Sequence, residues 1–255
     1  MTGEPVLQLS VVIPTSNEEA WLPYLLDVLK SYDEVTEIIV ADNDSSDRTA
    51  EIASRAGCLV TKGGRPGRAR NQGARLCTTD VILFIDADTV VPRSSLLGAL
   101  AAFGRDGALS AVAFRVAPVG DRYFPRVGYG AADLYLRVCA RLGMHQGLGN
   151  AIMVRKRDFD GIGGFDERVD AGEDADLMRR IGRHGGAAYL RSCVAYTSPR
   201  RFRAENNFAF GAKVLLWTAM RFMGLQQSVF GYKWTRYPAN WSNSDRDQFR
   251  LVLRR

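Results

Sequence analysis

Two carboxylates close an apolar run at residues 81–88, Val-Ile-Leu-Phe-Ile-Asp-Ala-Asp. A short apolar run rich in β-branched residues predicts a strand buried on both faces. Asp86 and Asp88 stand at its carboxyl end, and side chains two apart on extended chain point the same way. Like charges so placed repel unless a cation lies between them or they turn to different partners. Hard oxygen ligands suit Mg2+ or Mn2+, and Mg2+ is commonly held by one or two carboxylates together with substrate phosphates. The alternative is structural: Asp86 ends the strand and Asp88 caps the next helix.

The segments around this pair set where it lies. Residues 9–14 (Leu-Ser-Val-Val-Ile-Pro) predict a first buried strand. Thr15-Ser16-Asn17-Glu18-Glu19 supplies cap residues and acids, which predicts a helix starting near Glu18 with Leu22, Leu25, Leu26 and Leu29 as its apolar stripe. Residues 37–41 predict a second strand, 50–52 a helix, 58–61 a short third strand, and 71–76 a helix that continues a Gly- and Arg-rich loop at 62–70. Strand and helix alternating at this spacing predict an α/β fold with a doubly wound, mostly parallel sheet. Ligand sites of such sheets lie beyond the carboxyl ends of the strands. Asp42, directly after the second strand, is placed there to accept from a base or ribose; the alternative for Asp42 and Asp44 is an Asx turn. Arg65, Arg68 and Arg70 either face phosphate in the same crevice or form a solvated basic loop. No phosphate-binding glycine loop follows the first strand, which excludes a P-loop nucleotidase and a dinucleotide dehydrogenase. Further on, residues 108–114 predict a strand, 118–125 a break and 131–142 a helix. Gly147-Leu148-Gly149-Asn150 leads into a strand at 151–154, where glycines let backbone approach a ligand or simply make a turn. After a loop at 161–170, Glu173-Asp174 opens a helix with Leu177, Met178 and Ile181 on its apolar side, and on their own these acids serve the helix N-terminus.

With 255 residues, 46% hydrophobic and 24% charged, the chain is long enough for one large α/β core. The net charge of +6 suits a phosphate-rich ligand or an anionic membrane surface; no nucleic-acid partner is expected. Four scattered cysteines lack metal-ligand spacing and read as thiols of a reducing compartment. No signal peptide is expected from the N-terminus, and no apolar run reaches the roughly 18 residues of a spanning helix. The expected location is cytoplasmic, with peripheral membrane contact open.

Six pieces in order carry a specific resemblance. They are Val-Val-Ile-Pro-Thr-Ser-Asn-Glu-Glu (11–19), Ile-Ile-Val-Ala-Asp-Asn-Asp-Ser-Ser-Asp-Arg-Thr (38–49), Gly-Arg-Ala-Arg-Asn-Gln-Gly-Ala (67–74), Phe-Ile-Asp-Ala-Asp (84–88), Gly-Gly-Phe-Asp-Glu (163–167) and Gly-Glu-Asp-Ala-Asp-Leu (172–177). The chain resembles the family 2 glycosyltransferases of GT-A fold over roughly residues 9–200. The resemblance implies a metal-dependent, inverting transfer of one sugar from a UDP- or GDP-linked donor to a hydroxyl of a glycan, a lipid-linked glycan or a small molecule. It implies Mn2+ or Mg2+ at Asp88 and Asp86. Pro14, Thr15, Asn17 and Glu18 would line the nucleoside. Asp42 would contact the base with Asp44 beside it, and Arg68 and Asn71 would lie near base, ribose or phosphate. Ala87 belongs to the same donor segment. Asp174 would be the base that takes the acceptor proton, with Glu173 supporting it or touching the acceptor. Gly149 and Asn150 would also face the acceptor.

Thr197-Ser198-Pro199-Arg200-Arg201-Phe202 occupies the place of a basic-aromatic motif of the family, so Arg200 and Arg201 would hold the diphosphate or close over it, or else form a basic turn. Residues 1–204 then make the catalytic domain, with a donor half at 9–90 and an acceptor half at 91–204. Residues 205–255 make a helical, aromatic extension for core packing, a homodimer face or a membrane surface. The rival readings are a polyprenyl-phosphate monosaccharide synthase, a nucleotidyltransferase and a catalytically silent nucleotide-binding or membrane-docking module.

Overall fold

A computed structural model of the chain describes residues 7–120, 123–169 and 172–200. Strand β1 (Leu9–Thr15) leads to α1 (Leu22–Lys30), β2 (Val35–Asp42), α2 (Thr49–Arg55), β3 (Leu59–Lys62), α3 (Pro66–Ala74) and β4 (Val81–Ile85). There follow β5 (Thr89–Val90), α4 (Arg93–Arg105), β6 (Leu109–Pro118), α5 (Tyr123–Arg141), β7 (Ala151–Arg155), α6 (Lys156–Gly161), α7 (Glu173–His184) and β8 (Gly186–Thr197). The strands form one sheet in the order β3-β2-β1-β4-β7-β6-β8-β5. The β3-β2-β1-β4 half is parallel, as the strand–helix alternation predicts. Beyond it β7 runs antiparallel to β4 and β6, β8 returns parallel to β6, and β5 pairs antiparallel with β8. The sheet is therefore mixed.

Burial on both faces explains the unbroken apolar runs. Leu9, Val11 and Ile13 of β1 and Val81, Leu83 and Ile85 of β4 pack with α1, α2 and α4. Val12, Ile82 and Phe84 point the other way, into a cluster with α3, α6 and α7. Every residue of β4 is buried, so period-2 alternation vanishes from the sequence although the geometry keeps it.

Several boundaries differ from the sequence reading. Helix α1 starts at Leu22, not near Glu18, with Pro23 in its first turn. The preceding turn reverses at Asn17, whose φ is 58°, and this sends Glu18 inward. Helix α3 begins at Pro66, so Arg68 and Arg70 lie on a helix and not in a loop. The twelve-residue β8 and the short α6 were not anticipated; β8 has mostly half-buried positions and no clean periodicity. Helix α5 starts earlier than residue 131. No helix among the described residues is long and apolar enough to cross a membrane. Arg201 and the whole 205–255 extension lie outside the described residues.

Candidate active site

Strand β4 ends at Ile85, and the chain then turns, with the Thr89 amide donating to the Asp86 carbonyl at 3.0 Å. That turn sends the two carboxylates to different partners. Asp86 continues on the α3–α7 side, while Asp88 faces the carboxyl ends of β1 and β8. Asp88 is not a helix cap, because Pro92 precedes the first turn of α4.

Arg70 binds Asp86. Its Nη2 donates to Asp86 Oδ1 at 2.9 Å and to the Gly149 carbonyl at 3.1 Å, and its Nη1 donates to Glu173 Oε1 at 2.7 Å. The Arg70 side chain is 4% exposed and lies over the Phe165 ring. Phe165 packs with Phe84 and Phe159, all with centroids 5.1–5.7 Å apart. Burial alone would lower the guanidinium pKa, but Asp86, Glu173 and Asp174 reverse the sign and hold it above its ordinary value. One fixed cation thus joins the first acidic pair to the second. The sequence reading placed Arg70 among loop cations and chose Arg68 for the donor; its helical register carries the missed signal.

Arg200 binds Asp88. Its Nε lies 2.7 Å from Asp88 Oδ2, and Nη1 and Nη2 donate to Glu18 Oε2 and Oε1 at 2.9 and 2.6 Å. The guanidinium also lies over the Trp21 ring at 5.9 Å. Burial pushes the Glu18 carboxyl up to about 7, against the pull of Arg200 and with help from Asp88 and Asp86. Two acids and one arginine of distant sequence origin, Glu18, Asp88 and Arg200, therefore share one buried crevice.

Other expected residues take definite places. Asp42 accepts from Thr15 Oγ1 at 2.9 Å, from the Ser45 amide at 3.0 Å and from Ser45 Oγ at 2.5 Å, and so closes the loop that leaves β2. Asp44 is exposed with φ 47°. Asn17 Oδ1 accepts from the Ser46 amide at 2.8 Å and joins the β1 and β2 loops. Pro14 pairs in register with Ala41, beyond the last β4 partner Val12–Phe84, so its missing N–H breaks no bond to β4. Ala87 is buried. Arg68 is exposed and packs over Gly64. Asn71 pins the 163–167 loop: Nδ2 donates to the Phe165 carbonyl and Glu167 Oε1 at 2.9 and 3.0 Å, and Oδ1 accepts from the Phe165 amide at 2.9 Å. Asn150 donates to Asp86 Oδ2 at 3.4 Å and to Thr197 Oγ1 at 3.3 Å. Gly149 lies against Asp174, and a Cβ built there would meet Asp174 Oδ2 and Arg70 Nη2 at 3.4 Å.

No three His, Cys, Asp or Glu side chains converge on a metal geometry among the described residues. Two carboxylates with substrate phosphates are nonetheless a sufficient oxygen set for Mg2+ or Mn2+. Arg200 lies on Asp88 Oδ2, while Asp88 Oδ1 accepts from Thr89 Oγ1 at 3.4 Å. The two histidines join no acidic cluster: His145 packs on Gly182 and His184 on Gly161.

The profile of glycosyl transferase family 2 matches residues 10–160. The pre-mycofactocin glycosyltransferase of Mycobacterium tuberculosis is 30% identical over 194 residues, which are 71% of this chain and 40% of that protein. The chain spans less than half the length of such curated relatives. Two solved structures share the fold. Glucosyl-3-phosphoglycerate synthase of Mycobacterium tuberculosis, crystallised with Mn2+, UDP and glucosyl-3-phosphoglycerate, aligns with TM-score 0.62 and 20% identity over 92% of this chain and 87% of that one. A mannosyltransferase of Pyrobaculum calidifontis, crystallised with GDP-Man and Mn2+, aligns with TM-score 0.62 and 19% identity over 97% and 68%. The profile match covers more than half of the sequence, and the chain belongs to glycosyl transferase family 2.

Proposed function

We propose that the chain transfers a single sugar from a UDP- or GDP-linked donor to a hydroxyl acceptor, with inversion at the anomeric carbon. The observation that carries this reading is the Asp86–Arg70–Glu173 bridge. It sets the acids that end the donor half beside the acids that open α7. The relatives crystallised with UDP or GDP-Man and Mn2+ support the donor class. Asp88, with Asp86, would hold Mn2+ or Mg2+, which when bound supplies positive charge to the departing diphosphate.

The chain's own residues do the rest. Thr15, Asp42 and the Asn17 loop form the floor on which a nucleoside would lie. Arg200 keeps the buried Glu18 and Asp88 from repelling one another. Asp174, beside Gly149, takes the acceptor proton as the acceptor oxygen bonds to the anomeric carbon. The bond from that carbon to the diphosphate breaks on the opposite face, and the electron pair leaves with the nucleotide. Glu173, held by Arg70, fixes the α7 end on which Asp174 sits.

Thermal unfolding with UDP or GDP, each with and without Mn2+, tests the assignment. Binding to the native state raises Tm by mass action, by about 2.7 kcal/mol of stability at a hundredfold excess over Kd. One nucleotide should stabilise the wild type more with Mn2+ than without, and Asp88→Asn should lose the metal-dependent part. A chain that responds to neither nucleotide, with or without Mn2+, does not have this function.

A further inference from the structure

Helix α5 has an outward stripe that the proposed chemistry does not use. Its inner face is settled: Leu136 and Cys139 are buried, and Asp133 accepts from Tyr189 of β8 at 2.7 Å. On the opposite side Val127, Leu134 and Val138, with Leu142 in the turn one residue past the helix end, are 52%, 58%, 45% and 66% exposed. Their spacing of seven, four and four puts them on one line at 3.6 residues per turn. Ala131 falls on the same line. Among the described residues, the other large exposed apolar side chains are Leu76 and Leu97, which stand singly, and the Leu59–Val60 pair on β3, where neighbouring side chains point to opposite faces.

Charge identifies what this stripe fits. Arg126, Arg137 and Arg141 follow one margin of it, and the only acid between residues 123 and 142 is the buried Asp133. An apolar line edged by arginines with no exposed acid is the pattern of a helix lying in the plane of an anionic bilayer, its cations at headgroup level. The net charge of +6 has the same sign.

Place matters as well. Residues 143–150 run from the end of this stripe directly to the site, where the Gly149 carbonyl meets Arg70.

We infer that the outer face of α5 docks the protein on an anionic lipid surface and turns the acceptor side of the crevice toward acceptors borne by that membrane. The docking stands on the surface of α5 alone; the orientation of the acceptor rests on the proposed transferase reading.

Flotation of the full chain with phosphatidylcholine vesicles, with and without phosphatidylglycerol, tests it. The wild type should float with the anionic vesicles and less with neutral ones, and added salt should weaken the arginine share. Leu134→Glu combined with Val138→Glu puts two acids into the stripe at exposed positions. It should lower anionic-vesicle binding by roughly tenfold or more, since each apolar side chain withdrawn is a substantial part of an interfacial helix's affinity. The nucleotide-dependent rise in Tm should be unchanged in that variant, which reports an intact fold and crevice. Equal flotation of variant and wild type overturns the inference, as does a wild type that floats with neither vesicle. A wild-type dimer that becomes a monomer in the variant, seen by sedimentation velocity, overturns it too and assigns the stripe to a second copy. Vesicle binding without any nucleotide response overturns the transferase reading and leaves the docking surface standing.

Discussion

Arg70 and Arg200 set the electrostatics of the crevice, and each does so with several acids at once. A buried acid without a partner is costly, and removing one partner of a buried pair costs more than the pair contributes. Arg70→Met would leave Asp86 and Glu173 facing each other without a cation. It should destabilise the fold by about 3–5 kcal/mol in urea unfolding. Arg70→Lys keeps a charge but loses the planar fork that reaches Asp86, Glu173 and the Gly149 carbonyl together. It should keep most of the stability and lower kcat by on the order of 10²-fold, because the α7 acids lose their fixed position. A lysine variant with wild-type kcat would show that the bridge serves stability alone.

At the scale of elements, α3 holds Arg70 where it is because it lies unusually close to β1. A Cβ on Gly73 would come within 2.3 Å of Val12 Cγ1. Gly73→Ala should therefore push α3 away from the sheet, cost about 1–3 kcal/mol and weaken nucleotide binding together with stability. An alanine variant as stable as wild type would remove this account of the helix position. The loop at 162–167 is held from the other side by α7. Arg180 donates to Asp176 Oδ2 at 2.6 Å and to the Ile162 and Gly164 carbonyls at 3.2 and 2.7 Å. Burial would raise the Asp176 pKa, but Arg180 and Arg179 outweigh it and hold it below its ordinary value of 3.8. A lowered carboxyl stabilises the folded state above its unfolded pKa and loses that contribution as pH falls through the folded one. Asp176→Asn should accordingly flatten the acid limb of a stability-against-pH curve below about pH 4 while lowering stability at neutral pH. The same elements show what the sequence makes legible. The β1 and β4 strands announce themselves because both faces are buried, β2 does so through the buried run Ile39-Val40-Ala41, and α7 through Leu177, Met178 and Ile181. Strand β8 does not, because its positions are mostly half-buried and its buried ones are only Cys193, Ala195 and Thr197, so nothing in the sequence shows that it delivers Arg200 to Asp88. The two acids of β4 are visible as a pair, but their divergence to Arg70 and Arg200 depends on a turn after Ile85 that apolar periodicity cannot report.

Across the whole molecule, Arg70 is one of several polar links between the parallel half that ends in Asp86 and the mixed half that carries α7, beside Arg200 on Glu18, Asn71 on Phe165 and Asn150 on Asp86. Asp86 and Glu173 are 87 residues apart in sequence (173 − 86) and do not bond to each other; both bond to one guanidinium. Sites that share a partner couple energetically, whereas independent sites add within about 0.3–0.5 kcal/mol. Asp86→Asn and Glu173→Gln should therefore be non-additive in urea unfolding, with an interaction energy of about 1 kcal/mol or more. The sign is informative. Once one acid is neutralised, Arg70 depends more on the other, so the second substitution should cost more than it does in the wild type. Strict additivity would mean that Arg70 does not couple Asp86 to Glu173. In that case the arginine merely fills a gap between two independent acids, and binding of donor would not be felt at the α7 acids through it.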